Sequence, residues 1–332
     1  MSQKPLRILV SDKVWQTRGN DIRDAMGNVP FVRLSIEDVL EGGQQADVAF
    51  VSRDVTGAST KFDIKPDTQR FYDAMLVSQD LKWVHVHSAG ADRFVYLDLM
   101  DRGVTLTTSA GANAPGVAQT TVAAILALSR RLPELMQCQR EHRWQTLLKL
   151  GIPPDLDTLT IVIVGWGPIG QLIGQALKVF GVRLVVVRNN PQPVDIADKV
   201  IGFEDFESVL PETDWLVLAC PLTDKTKNLV SAKVLDKIKQ GAMIANISRG
   251  AVVDEQAMIE KLRQGHLAGG YLDVFNQEPL PPDSPIWDLP NTIVTAHTAS
   301  FSQGMFARME NMFIENLRRY AKGEPLKQVA SR

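Results

Sequence analysis

Cysteine is scarce in this sequence of 332 residues, and net charge is almost absent. The two cysteines, Cys138 and Cys220, lie far apart, and no metal-ligand spacing surrounds either of them. A disulfide framework and a metal site are therefore not expected, and a reducing compartment fits. The formal net charge of −2 gives no indication of a polyanionic partner such as a nucleic acid.

Long apolar runs are also missing. No segment reaches the roughly 18 apolar residues that a membrane-spanning helix needs. The N-terminus, Met1–Leu6, lacks the apolar core of a signal peptide. We therefore expect a cytoplasmic protein that binds neither membranes nor nucleic acids.

What the chain does contain is a regular alternation of short apolar segments and more polar, helix-like segments. This alternation is typical of parallel β-α-β units, and the length suits two domains rather than one core. The predicted strands are Arg7–Ser11, Phe31–Leu34, Asp47–Val51, Trp83–Val86, Val104–Thr107, Ile161–Val164, Gly181–Val187, Trp215–Ala219, Ala242–Ile247, Gly270–Val274 and Thr292–Ala296. Helices are predicted from Ala114 with Asn113 as N-cap, near Asp254–Gln264, and over Ser302–Lys322.

The most informative motif begins at the strand Ile161–Val164. It leads directly into Gly165-Trp166-Gly167-Pro168-Ile169-Gly170, and apolar residues at helical spacing follow. In such a strand–turn–helix, the first glycine permits the turn, the second lets a ligand approach the backbone, and the third lets helix and strand pack closely. The free amides and the positive dipole end of the helix favour a pyrophosphate. The motif therefore predicts a dinucleotide site.

The end of the next predicted strand bears on the type of dinucleotide. An NAD site usually carries an acidic residue there that bonds the ribose 2′-hydroxyl. This chain has Arg188-Asn189-Asn190 instead, so a guanidinium is available for a 2′-phosphate and no carboxylate repels it. We predict a preference for NADP(H), with NAD(H) possible; the alternative is that Arg188 is an ordinary surface charge.

Three polar residues directly follow predicted strands of the second half, namely Arg249, Glu278 and His297. The carboxyl ends of parallel strands are where open α/β sheets bind ligands. Arginine can bind a carboxylate through two hydrogen bonds, histidine can transfer a proton near neutral pH, and glutamate can hold the imidazole. Each residue alone has a structural alternative, as a surface cation, a turn residue or a strand cap. His85 and His87, on an earlier strand, are predicted to be structural.

The motifs form an ordered set along nearly the whole chain. They include Ser88–Asp92, Asn113–Ala118, the glycine motif, Cys220–Thr223, Asn246–Gly250, Leu272–Phe275, Glu278-Pro279, Pro285–Asn291 and Ala296–Ser300. This set resembles the D-isomer-specific 2-hydroxyacid dehydrogenase family, which includes glyoxylate/hydroxypyruvate reductases and phosphoglycerate dehydrogenases. The resemblance implies two doubly wound parallel-sheet domains. A Rossmann nucleotide-binding domain, 110–299, is inserted into a flavodoxin-like substrate-binding domain, 1–109 with 300–332.

The resemblance also implies roles for individual residues. Arg249 binds the carboxylate and carbonyl of a 2-oxo acid, His297 is the general acid or base, and Glu278 is the partner of His297. The backbone at Ala89, Gly90 and Ala91 helps to hold the substrate carboxylate. Residues expected to contact the cofactor are Gly165, Trp166, Gly167, Pro168, Ile169, Gly170, Arg188, Asn189, Cys220, Pro221, Thr226, Ile247, Ser248, Asp273 and His297. Trp166 departs from the family, which commonly has an aliphatic residue there.

The sequence as a whole predicts an NADP(H)-preferring reductase of small 2-oxo acids, with glyoxylate and hydroxypyruvate as leading substrates and a homodimer as the expected assembly. One alternative is a phosphoglycerate dehydrogenase, which would need basic residues for the substrate phosphate. A second is a dinucleotide-sensing corepressor of the C-terminal-binding-protein type. Oxidation of NADPH on addition of glyoxylate would distinguish the enzyme from the corepressor.

Overall fold

Two parallel β-sheets account for the alternation seen in the sequence. The computed structural model describes residues 4–59 and 63–330. The chain divides into two compact units, unit 1 (Met1–Ala112 and Ser302–Arg332) and unit 2 (Asn113–Phe301). The predicted fold class is confirmed, because each unit is built around a doubly wound parallel sheet.

The described strands, β1 to β12, are Leu6–Leu9, Phe31–Leu34, Val48–Val51, Trp83–Val86, Thr105–Thr108, Thr160–Val164, Arg183–Val187, Lys199–Ile201, Trp215–Leu218, Ala242–Asn246, Leu267–Leu272 and Thr292–Val294. The described α-helices, α1 to α12, are Asp12–Met26, Ile36–Leu40, Arg53–Thr56, Pro66–Val77, Phe94–Asp101, Ala114–Ser129, Leu132–Arg140, Leu147–Leu150, Pro168–Lys178, Ala232–Lys237, Glu255–Arg263 and Gln303–Ala321. Among the described residues, 4–59 and 63–330, no helix is both long enough and apolar enough to cross a bilayer.

Unit 1 has the strand order β2-β1-β3-β4-β5, with every pair parallel. This is the flavodoxin-like order. The last helix, α12, closes one face of this sheet, where Phe313 stacks on Phe50 with ring centroids 4.4 Å apart. Trp83 lies in the same buried cluster. The far C-terminal helix therefore completes the core of the N-terminal sheet.

His85 is a core residue of unit 1, as the sequence predicted. Trp83 Nε1 donates to Thr107 Oγ1 at 2.8 Å, and that hydroxyl lies 2.7 Å from His85 Nδ1. The other ring nitrogen, Nε2, lies 3.1 Å from Ser109 Oγ, which donates to the carbonyl of Val86. Both nitrogens of a neutral imidazole are thereby satisfied.

Burial of His85 and His87 makes unit 1 sensitive to acid. Burial lowers the pKa of His85 to about 3 and that of His87 to about 4, from an ordinary value of 6.5. The folded state binds these two protons less readily than the unfolded chain does. The contribution of the neutral histidines to the free energy of unfolding is therefore fully present above about pH 6.5, and it is lost as the pH falls toward the folded-state pKa values. We expect each histidine to remove about 2 kcal/mol from the free energy of unfolding between pH 7 and pH 5. Urea unfolding at the two pH values measures this, and equal midpoints would contradict it.

Unit 2 has the strand order β12-β11-β10-β9-β6-β7-β8, again with parallel pairs. This is the dinucleotide-binding order with a seventh strand added at one edge. All five residues of β6 are buried, as expected for a strand covered on both faces. The short edge strand β8 was not predicted.

The boundaries of the units differ by two or three residues from those predicted at 109/110 and 299/300. Residues 110–112 group with unit 1, where Arg308 Nε donates to the carbonyl of Ala112 at 2.7 Å. Helix α6 begins at Ala114 with Asn113 in the N-cap position, as predicted, but the side chain of Asn113 does not cap the helix. Asn113 has helical backbone angles and its side chain makes no capping hydrogen bond, so it does not have the extended geometry that capping requires.

Candidate active site

Arg249, Glu278 and His297 lie at one edge of the sheet of unit 2. They follow β10, β11 and β12, which are consecutive in the sheet order. Because these strands are parallel, their carboxyl ends meet at the same edge, as the sequence analysis assumed. The loop with Arg249 also approaches the loop with Glu278 closely, since a Cβ at Gly250 would collide with the backbone of Phe275 and Asn276.

His297 and Glu278 form a hydrogen-bonded pair. His297 Nδ1 donates to Glu278 Oε2 at 2.8 Å, and Glu278 Oε1 accepts from the backbone amide of Phe275 at 3.0 Å. The carboxylate is thus held from two sides and fixes the proton on Nδ1. The side chains are 46% and 36% exposed, so His297 Nε2 remains available for proton transfer to a ligand.

The loop that carries His297 is held by Asp273. Its Oδ1 accepts hydrogen bonds from Thr295 Oγ1 and from the amides of Thr298 and Ala299. The amide of His297 donates to the carbonyl of Asp273 at 2.9 Å. His297 itself has φ of +48°, a left-handed conformation that is uncommon outside glycine and persists where neighbours enforce it.

Asp273 was predicted as a cofactor contact. In the structure its side chain is 4% exposed and bonded to the His297 loop, so its visible role is to position that histidine. Sequence reasoning missed this network, although the hydroxyl of Thr295 so near to His297 was a signal that could have indicated it.

Arg249 presents an exposed guanidinium. One of its nitrogens, Nη1, donates to the carbonyl of Ser248 at 2.7 Å, and Asn246 Nδ2 donates to the carbonyl of Arg249 at 3.1 Å. Within the described residues, Nε and Nη2 have no hydrogen-bond partner. These two donors can bind both oxygens of a carboxylate.

The glycine motif has the geometry that a dinucleotide requires. Gly165 has φ of +100°, and a Cβ there would lie 2.7 Å from the backbone of Ala219 and Cys220. A Cβ at Gly170 would collide with the carbonyl of Gly165, so the helix packs against the strand as the pattern predicted. A Cβ at Gly167 would meet nothing within 4 Å, which leaves its backbone open to a ligand. These three observations fit a bound nicotinamide dinucleotide.

The N-terminus of α9 lies at this turn. Its N-cap, Gly167, has no side chain, and Pro168 occupies the first turn, so the amides of Ile169 and Gly170 have no acceptor within the helix. The ring of Trp166 packs back against the helix, where a Cβ at Gly174 would lie 2.6 Å from it. Only the backbone of Trp166 is therefore left to face a pyrophosphate.

A substitution at Gly167 is expected to weaken cofactor binding and to leave the stability of the fold unchanged. Its φ of −78° and ψ of −173° suit alanine, and the added methyl would occupy the space where we expect the pyrophosphate. We expect Gly167→Ala to raise the Kd for NADPH at least about tenfold, which is about 1.4 kcal/mol, with no change in Tm. Fluorescence titration and thermal unfolding of the free protein measure the two quantities. Unchanged NADPH affinity would contradict this placement of the cofactor.

Arg188 lies at the carboxyl end of β7. Its amide donates to the carbonyl of Ile201 at 3.1 Å, its side chain is half-buried, and Asn189 beside it is exposed. In the part of the chain that the structure describes, no carboxylate forms an ion pair with its guanidinium. The charge is thus available to a ligand.

The remaining cofactor candidates of unit 2 line the same edge after β9 and β10. Thr226 is buried, and its hydroxyl closes the loop by donating to the carbonyl of Pro221 at 2.6 Å. Ser248 Oγ donates to the carbonyl of Cys220, and both side chains are buried, as is Ile247. These side chains shape the loops, so any contact they make with a cofactor would be largely through the backbone.

The predicted substrate residues Ala89, Gly90 and Ala91 belong to unit 1. They form the loop between β4 and α5, where Ser88 Oγ donates to the carbonyl of Gly90 at 2.6 Å. The contacts described above for the site in unit 2 therefore do not involve these three residues. Among residues 4–59 and 63–330, no group of three or more possible ligands is arranged to hold a metal ion.

Known proteins with similar sequences point to one family. The family model for "D-isomer specific 2-hydroxyacid dehydrogenase, NAD binding domain" matches residues 122–299. A glyoxylate reductase of Korarchaeum cryptofilum is 33% identical over 250 residues, which cover 74% of each chain. A glyoxylate/hydroxypyruvate reductase B of Yersinia pseudotuberculosis is 32% identical over 74% of this chain and 76% of its own.

The fold comparison agrees with these sequence matches. The crystal structure of a D-isomer specific 2-hydroxyacid dehydrogenase from Xanthobacter autotrophicus Py2, in complex with NADPH and MES, has a TM-score of 0.73 and 26% identity. The similarity covers 99% of this chain and 98% of that one.

Proposed function

Because the chain belongs to the D-isomer specific 2-hydroxyacid dehydrogenase family, we propose that it reduces glyoxylate and hydroxypyruvate to the hydroxy acids, with NADPH as the preferred reductant. The family makes it an oxidoreductase that uses a nicotinamide dinucleotide and acts on CH–OH donors. The observation that carries the proposal is the convergence of Arg249, Glu278 and His297 on the sheet edge that also bears the glycine motif.

Each side chain of this group has one task. Arg249 binds the substrate carboxylate with its two free donors and polarises the neighbouring carbonyl. His297, protonated on both nitrogens, gives the proton on Nε2 to the carbonyl oxygen, and Glu278 stabilises its charged form. The nicotinamide, when bound, supplies the hydride to carbon 2. Hydride and proton together convert the 2-oxo acid into the 2-hydroxy acid.

The coenzyme preference is attributed to Arg188. A charge-assisted hydrogen bond contributes about 1.5–3 kcal/mol, which corresponds to a preference of roughly 10- to 100-fold for NADPH over NADH. The next two residues, Asn189 and Asn190, are neutral and would not repel a 2′-phosphate, which supports the same preference for NADPH.

Steady-state assays test the function and the coenzyme preference together. We expect glyoxylate and hydroxypyruvate to drive NADPH oxidation, with kcat/KM about 10- to 100-fold above that for NADH. Arg188→Asp should reverse the order, because the carboxylate repels a 2′-phosphate and accepts from a ribose hydroxyl. Arg183→Ala is the matched control, since Arg183 lies at the opposite end of β7 and pairs with Glu212 at 2.6 Å. Equal kcat/KM for the two coenzymes would refute the preference, and no turnover of either acid would refute the function.

A homodimer is part of the proposal. Unit 2 exposes large apolar side chains along one segment, which a second copy would cover. Their exposed fractions are 44% for Leu132, 50% for Met136, 96% for Trp144, 79% for Leu148 and 72% for Ile152.

A further inference from the structure

A half-open cavity of about 500 Å³ lies beside His297 and Glu278, and the described residues that line it belong to unit 2. Glu278 and His297 contribute to its lining, and the other walls are Phe275, Pro279, Leu280, Trp287 and Ala296. At about 30 Å³ for each water-sized group, this volume is several times what glyoxylate occupies. The smallest 2-oxo acids would leave most of the cavity to water.

The apolar walls are held in place. Trp287 Nε1 donates to the carbonyl of Pro281 at 2.9 Å, while 47% of the residue remains exposed. Phe275 is only 7% exposed, and Leu280 packs against a core cluster of the unit. An indole that is anchored at its polar atom and uncovered on its apolar surface is well suited to an apolar partner.

The charged groups that line the cavity argue against substrates that carry a second anionic group. Among the lining residues that the structure describes there is neither lysine nor arginine, and Glu278 contributes a carboxylate. A distal phosphate or carboxylate would find no cation there and would be repelled by Glu278. This argues against a phosphorylated substrate, which the sequence analysis left open.

We propose that this cavity receives the side chain of the 2-oxo acid, and that the enzyme therefore accepts 2-oxo acids with aliphatic or aromatic groups at carbon 3. The inference rests on the proposed function, since it needs the reacting carbonyl at His297. The chemistry is unchanged: the hydride goes to carbon 2 and the proton of His297 goes to the carbonyl oxygen.

A substrate series for the wild-type enzyme gives the first test. The probes are glyoxylate, pyruvate, 4-methyl-2-oxopentanoate, phenylpyruvate and 3-phosphohydroxypyruvate, each with saturating NADPH. We expect kcat/KM for phenylpyruvate and 4-methyl-2-oxopentanoate to equal or exceed that for pyruvate. The phosphorylated acid should fall at least about tenfold below pyruvate, in line with the loss of one favourable contact in a pocket.

Variants of Trp287 give the second test. Trp287→Ala removes a wall, so the ratio of kcat/KM for phenylpyruvate to that for glyoxylate should fall by about 10-fold or more. Trp287→Phe is the matched control, because it keeps an aromatic wall; its ratio should stay within about threefold of wild type. The ratio corrects for any general loss of active enzyme.

The outcomes separate the two proposals. Turnover of glyoxylate with kcat/KM falling about 100-fold or more from pyruvate to phenylpyruvate would overturn the side-chain pocket and leave the proposed function intact. An unchanged ratio in Trp287→Ala would also overturn the pocket. If none of the five acids is reduced, the proposed function fails, and this inference fails with it.

Discussion

Replacing His297 with alanine is expected to lower kcat for glyoxylate reduction by about 10²- to 10⁴-fold, the usual contribution of a positioned general acid. The KM for glyoxylate should change much less, because Arg249 would still bind the carboxylate. Glu278→Gln should have a smaller effect on kcat, since it keeps a group at hydrogen-bond distance from Nδ1 but loses the negative charge.

The control for this prediction is a histidine of the same sheet that lies away from the site. His266 directly precedes the amino end of β11. Its Nε2 atom lies 3.1 Å from the carbonyl oxygen of Ile238. His266→Gln should retain wild-type kcat. Steady-state kinetics with NADPH measure both variants, and wild-type turnover by His297→Ala would remove the histidine from the mechanism.

Loss of Arg249 is expected to damage both binding and turnover. Arg249→Ala removes two donors to a carboxylate, each worth about 1.5–3 kcal/mol, so kcat/KM should fall about 10²- to 10⁴-fold. The KM should rise because the carboxylate loses its partner, and kcat should fall because the carbonyl is less polarised. Arg249→Lys should recover only part of the loss, since an ammonium cannot form two parallel hydrogen bonds.

The matched control is Arg263, an exposed arginine in the last turn of α11. Arg263→Ala should have the same kinetic constants as wild type. If Arg249→Ala binds and turns over glyoxylate normally, the substrate carboxylate is held elsewhere and the assignment of Arg249 is wrong.

Local sequence patterns were sufficient for much of the framework. The strands Phe31–Leu34 and Trp83–Val86 were predicted to the residue, because at least two of the four residues in each are β-branched or aromatic. The turn at Gly165 was also predicted, from the glycine motif. The structure gives the physical reason, because close backbone contacts leave no room for a side chain there. Helix α11 begins after Asp254, whose side chain accepts from Ala257, and the chain reverses at Gly265 with φ of +71°.

What escaped prediction depends on contacts between distant residues. The strand Lys199–Ile201 has three residues at a sheet edge and little pattern of its own. The role of Asp273 requires knowing that its carboxylate accepts from amides about 25 residues later, after the next strand. The left-handed backbone of His297 and the cavity beside it likewise arise only when the connection between β11 and β12 meets the segment after β12.

The dependence of unit 1 on its last helix has a consequence for how the protein is made. Phe313 stacks on Phe50 and Trp83, and Val329 forms an antiparallel bridge with Thr107. During synthesis at about 5–20 residues per second, the N-terminal sheet emerges from the ribosome tens of seconds before the residues that cover it. Unit 2, which is continuous along the chain, can complete its core first. The nascent segment 1–112 is therefore the part that most needs protection by a chaperone.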